Sequence, residues 1–110
     1  MTAMSGELIV GSTNVISIPL LQNELDGTPV TGADVDLTLY DEETDAELTG
    51  VVWPVAMNHV SGGLYRGVVS VNLNITHNQR VRAVALADDP ASTYFATLVE
   101  WFVARDKRCC

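Results

Sequence analysis

From residue 26 to residue 67 the chain alternates apolar and polar side chains, and Gly, Pro and Asp break the alternation at short intervals. Asp26-Gly27-Thr28-Pro29 and Thr31-Gly32 read as turns. Val35, Leu37 and Leu39 then share one face, with Asp34, Asp36 and Thr38 on the other. An acidic loop comes next, followed by Val51-Val52-Trp53-Pro54-Val55, a turn at Ser61-Gly62-Gly63, and Leu64-Tyr65-Arg66-Gly67-Val68. Successive side chains of a strand point to opposite faces. A repeat of two therefore marks a half-buried strand, not a helix with its repeat of about 3.6. The segment predicts two β-hairpins laid end to end.

The flanks follow the same rule. Glu7-Leu8-Ile9-Val10 is a strand ended by Gly11-Ser12-Thr13-Asn14, and Val15 to Leu20 is β-branched and extended. Pro19 lacks the N–H that a ladder needs, which places that strand at an edge or a bulge. Ala46 to Val55 continues the strand pattern beyond the acidic loop, and Asn72 to Asn78 reads as a loop crossing between sheets. Arg80 to Ala87 has the character of a central strand. Thr93 to Ala104 is apolar on both faces, as a central or doubly covered strand would be. About seven strands, with almost no helix-period segment, predict an all-β fold: an antiparallel, immunoglobulin-like β-sandwich. Residues 1–6 are expected to be an N-terminal arm, 7–104 the sandwich and 105–110 a C-terminal tail. Trp53 and Trp101 are its expected aromatic centre.

A chain of 110 residues supports one such core and not two. No apolar run reaches the roughly 18 to 20 residues that span a bilayer, so no membrane role is expected. Met1 to Glu7 has neither a basic region nor an apolar core, so no export signal is expected. Residues 1–65 hold ten carboxylates and no Lys or Arg, and the net charge is −8. Such a surface repels phosphate backbones, which argues against nucleic acid as a partner. It also sets an acidic half against basic residues that begin only at Arg66. Cys109 and Cys110 are adjacent, with Cα atoms about 3.8 Å apart, below the usual disulfide separation. They cannot staple a core.

Candidate chemistry is sparse. Asp41-Glu42-Glu43-Thr44-Asp45-Ala46-Glu47 is rich in the oxygen ligands calcium takes, but it lacks the EF-hand glycine and spacing. A solvated hairpin tip explains it. His59 and His77 are the only near-neutral acid–base groups, and neither has zinc-ligand spacing; turn polarity accounts for both. Ser61 has no Gly-x-Ser-x-Gly elbow, and Ser61-Gly62-Gly63 is flanked by strands, unlike a phosphate loop. Asn74-Ile75-Thr76 matches a glycosylation acceptor but means nothing without export. Tyr65 is expected to bury its ring while its hydroxyl caps backbone groups. Gly67 is expected to permit a bulge or a close approach of the opposite sheet. No catalytic, cofactor-binding or metal-binding residue is assigned, and no cofactor is expected.

The chain resembles small structural proteins encoded among the virion genes of tailed bacteriophages and prophages. The resemblance lies in Asp26-Gly27-Thr28-Pro29-Val30-Thr31-Gly32-Ala33-Asp34-Val35 and Leu37-Thr38-Leu39-Tyr40-Asp41. It continues in Trp53-Pro54-Val55-Ala56-Met57, in Gly62-Gly63-Leu64-Tyr65-Arg66-Gly67 and in Phe95 to Val103, covering most of residues 14 to 104. Bacterial Ig-like repeats share the Gly-x-Pro-Val-x-Gly-Ala-x-Val phrase; Trp-Pro followed by Gly-Gly-x-Tyr-Arg-Gly favours the phage group. The resemblance implies a non-enzymatic virion protein in many copies, decorating the capsid or sitting at the head-to-tail region. Its implied partners are major capsid, connector or tail proteins and copies of itself. The alternative is an Ig-like surface- or carbohydrate-binding module of a bacterial protein.

Overall fold

The computed structural model describes residues 6–18, 21–22, 27–88 and 95–106. Seven strands carry the fold, and among the described residues there is no helix. They are β1 (Gly6–Val10), β2 (Asn14–Ile18), β3 (Asp34–Asp41), β4 (Val55–Ser61), β5 (Leu64–Val69), β6 (Arg80–Asp88) and β7 (Phe95–Asp106). Hydrogen bonding links them in one order, β1-β7-β6-β3-β4-β5-β2.

Strand β4 turns this order into a curled sheet. Its first half, Val55 to Met57, pairs with β3, and its second half, Asn58 to Ser61, pairs with β5 across a register shift. The two ends of the order, β1 and β2, are joined by residues 11–13 alone, which reach at most about 14 Å. The sheet therefore rolls up until its edges nearly meet, in a shape close to a barrel. Asn14 ties the seam. Its Oδ1 accepts from the Ile9 N–H at 2.9 Å and its Nδ2 donates to the Ile9 carbonyl at 3.1 Å, so one amide replaces a strand–strand bridge.

The expected alternation is what fills the interior. Val35, Leu37 and Leu39 of β3 are all buried while Asp34 and Asp36 are exposed. On β6 the inward residues are Val81, Ala83, Ala85 and Ala87, and three small alanines let the opposite wall approach. Ile16 and Ile18 of β2 face Ala83 and Ala85 across a crevice of only ≈ 10 Å³. Each fully buried Val or Leu contributes roughly 1.5–3 kcal/mol, so this interior is the main stabilising element. Gly67 lies where β5 passes Met57: a Cβ there would sit 3.0 Å from Met57 Cγ. The close approach expected at Gly67 is present, and the register shift falls instead between His59 and Ser61.

Several expectations need correction. The sheet is mixed, because β1 runs parallel to β7. Ala46 to Val55 is not a strand. Gly50 has φ 93 there, so a regular ladder cannot run through. The strand is instead Val55–Ser61, including His59, which therefore lies in β4 and not in a turn. The tryptophans are not the aromatic centre. Trp53 stays half-buried on the loop with its indole N–H donating to the Leu48 carbonyl, and Trp101 falls on the outward parity of β7. Tyr65 and Phe102 fill the interior. Gly6 belongs to β1, and Arg105 and Asp106 belong to β7, where they pair with Ile9 and Val10. Residues 1–5 of the expected arm and 107–110 of the tail, Cys109 and Cys110 included, lie outside the described residues, as do Pro19 and Leu20. The expected crossing loop is observed: residues 70–79 carry the chain from β5 to β6 and bury Leu73 and Ile75.

Candidate functional site

Register separates the candidate residues between the two ends of β3. Antiparallel pairing carries β4 past Val35 toward the Asp34 end, so His59 sits there, opposite Tyr65 on β5. Arg80 begins β6 at the other end, beside Asp41 and Val103, and His77 precedes it. The two histidines are thus separated by about the length of β3, roughly 23 Å. Each accepts from a backbone N–H: His59 Nε2 from Gly63 at 3.4 Å, and His77 Nδ1 from Asp106 at 3.0 Å. Neither is paired with a serine, cysteine or second histidine among the described residues. Ser61 is exposed at the end of β4, before Gly62 and Gly63, whose φ values of 52 and 91 suit a tight hairpin turn. Asn74 uses its amide to donate to Thr49 Oγ1 at 2.9 Å.

At the Asp34 end the chief device is Tyr65. Its ring is buried, and its hydroxyl donates to the Val30 carbonyl at 2.8 Å and accepts from the Ala33 N–H at 3.2 Å. The His59 ring lies 5.2 Å from it, tilted by 59°. Two backbone groups of the entry into β3 are satisfied by one phenol, as the sequence suggested.

At the Asp41 end the acidic loop is clamped. Asp41 Oδ1 accepts from the Glu43 N–H at 2.8 Å and its Oδ2 from Gln79 Nε2 at 3.0 Å. Arg82 reaches from β6 to Glu42 at 3.3 Å and to Asp45, while its guanidinium carbon lies 5.1 Å from the Tyr40 ring centre. The Asp45 hydrogen bond, with Glu42 behind it, holds the Arg82 pKa above its ordinary value. Glu42 Oε2 is buried without a hydrogen-bond partner, so desolvation offsets part of what the ion pair gains. Asp41, Glu43, His77, Gln79 and Arg80 border a cleft of ≈ 250 Å³. No group of three or more His, Cys, Asp or Glu side chains suited to a metal ion occurs among the described residues.

The outward face of β7, β6 and β3 carries several partly or fully exposed apolar side chains. Cross-strand rows place Val99 beside Val84 and Thr38, Trp101 beside Arg82 and Tyr40, and Thr97 beside Leu86 and Asp36. Val99 and Leu86 are exposed, and Val84, Trp101 and Tyr40 are half-buried. On the β2–β5 wall, exposed Val15 and Val68 form a second, smaller apolar pair. Two functional placements were not read from the sequence: the Asn14 seam and the Arg82 clamp. A polar residue at a strand's first position is a signal for the former. The latter depends on β3–β6 register, which single-strand patterns do not contain. Comparison with protein-family models, with curated proteins and with solved structures finds no match for this chain.

Proposed function

We propose that this chain is a non-enzymatic structural protein of a tailed-bacteriophage virion, assembled in many copies in the bacterial cytoplasm. In this reading it is an Ig-like β-sandwich that decorates the capsid or joins the head-to-tail region through protein–protein contacts. The pairings support the topology. In the immunoglobulin arrangement the second and fourth strands flank the fifth, and the sixth lies between the third and seventh; β2-β5-β4 and β3-β6-β7 repeat both. The departures are β1, which sits on β7 instead of β2, and β4, which also joins β3. The observation that carries the role is the outer face of β7, β6 and β3, with exposed Val99 and Leu86 at its middle, set against candidate acid–base groups that stay apart. Mass spectrometry of washed, gradient-purified particles tests it. Recovery of the polypeptide in multiple copies per particle is expected, and its absence overturns the reading.

One observation favours the second reading, a carbohydrate- or surface-binding module. Trp101 and Tyr40 share a cross-strand row on that face, and aromatic planes on the outside of a sheet suit a sugar. Binding of the isolated chain on a glycan array, lost in Trp101→Ala, would establish it.

A further inference from the structure

The outer face of β7, β6 and β3 is apolar at its middle and oppositely charged at its two ends. Val84 and Val99 share the central row. Four residues from Val84 along β6 in one direction stands Arg80; four residues in the other stands Asp88. Both are exposed and neither has an ion-pair partner among the described residues. We propose that this face pairs with the same face of a second copy, about a two-fold axis lying in the interface and crossing the strands through the Val84–Val99 row.

That axis lays β6 on β6 and β7 on β7 in opposite directions. Arg80 then meets Asp88 of the second copy, the Arg82 stem meets Leu86, and Tyr40 meets Asp36, while the central valines pack on themselves. An axis parallel to the strands would instead stack Arg80 on Arg80 and Asp88 on Asp88. The charges select the first arrangement, because opposed like charges disfavour the second. The same axis brings Glu42, beside Arg80, onto Asp34, beside Asp88; Glu42 is already tied to Arg82, which weakens that like-charge contact. Face-packed sheets lie about 10 Å apart with strands about 30° from aligned, within reach of an Arg–Asp pair. Three strands about 4.8 Å apart and about 26 Å long cover on the order of 370 Å² per copy, about 750 Å² in total. This lies below the size of stable interfaces, so the dimer is weak, reversible and concentration-dependent. A protein of net charge −8 repels itself over longer range, and moderate salt relieves that repulsion.

The proposal deepens the architectural reading by naming one contact, and rests on it only in requiring that copies meet. Sedimentation velocity of the full chain, from about 10 µM to about 500 µM in about 0.15 M salt, is the test. A monomer–dimer equilibrium is expected. Arg80→Glu and Asp88→Arg should each weaken it at least tenfold, and the double variant should return it to within about threefold of the parent. Val84→Lys should abolish it, whereas Val68→Lys on the opposite wall should leave it unchanged. Circular dichroism confirms that each variant is folded. A strictly monomeric parent, or a double variant no better than the singles, overturns the contact. Neither result touches recovery of the chain from washed particles, so the two readings fail separately.

Discussion

At the Asp34 end of the sheet a loop is held by a buried phenol; at the Asp41 end a loop is held by a half-buried guanidinium whose Asp45 partner is exposed. Tyr65 satisfies Val30 and Ala33 inside the interior, where no water competes. Arg82 grips Glu42 and Asp45 at a surface where Asp45 remains 71 % exposed and salt screens the attraction. The same mechanical task is thus done by a neutral contact that is costly to remove and by an ionic one that is nearly free to remove. The Asp41 end can vary its charge with little loss of stability.

Substitutions at each end test this comparison. Tyr65→Ala should destabilise by about 3–5 kcal/mol in urea unfolding, since it empties the interior as well as freeing two backbone groups. Tyr65→Phe, which keeps the ring, should retain a loss of about 1–3 kcal/mol at an unchanged urea slope. A neutral result there would remove the phenol from its assigned role. Gly50→Ala sharpens the contrast from the other side. A Cβ at that positive φ would lie 2.0 Å from the Asn72 carbonyl oxygen. The expected cost of about 3 kcal/mol would show that the Asp41 end is fixed by steric fit between two loops, not by its charges. Asn14→Ala should cost about 1–2 kcal/mol and raise amide exchange at Ile9, because the seam loses its bridging amide. Arg82→Gln should cost less than about 1 kcal/mol, and that difference should vanish in about 1 M salt.

The parts of the fold that the sequence made legible are those where one strand suffices. Alternation in Val35-Asp36-Leu37-Thr38-Leu39 fixes which side is buried without knowledge of any neighbour. Gly62-Gly63 marks a hairpin turn on its own. The Tyr65 anchor was legible because a ring next to a turn can bury itself only if its hydroxyl finds partners nearby. What was not legible depends on pairing. The parallel β1–β7 ladder joins residues about a hundred positions apart and leaves no local trace. Val51-Val52-Trp53 looks like a strand by composition, yet Val52 is 89 % exposed, because Gly50 and Pro54 turn the backbone out of the ladder. Trp101 is outward for a related reason: both faces of β7 are apolar, and only the position of Phe102 and Ala104 inside decides the parity.

The proposed architectural role is tested most directly by asking which surface the particle needs. Phage carrying Val84→Lys on the outer face, or the His59→Ala and His77→Ala pair at the two ends, can be compared by the copy number of this chain in purified virions. The folded Val84→Lys chain should be lost from particles while the histidine variant is incorporated at the parental level. Loss of the histidine variant, together with full incorporation of Val84→Lys, would contradict that role.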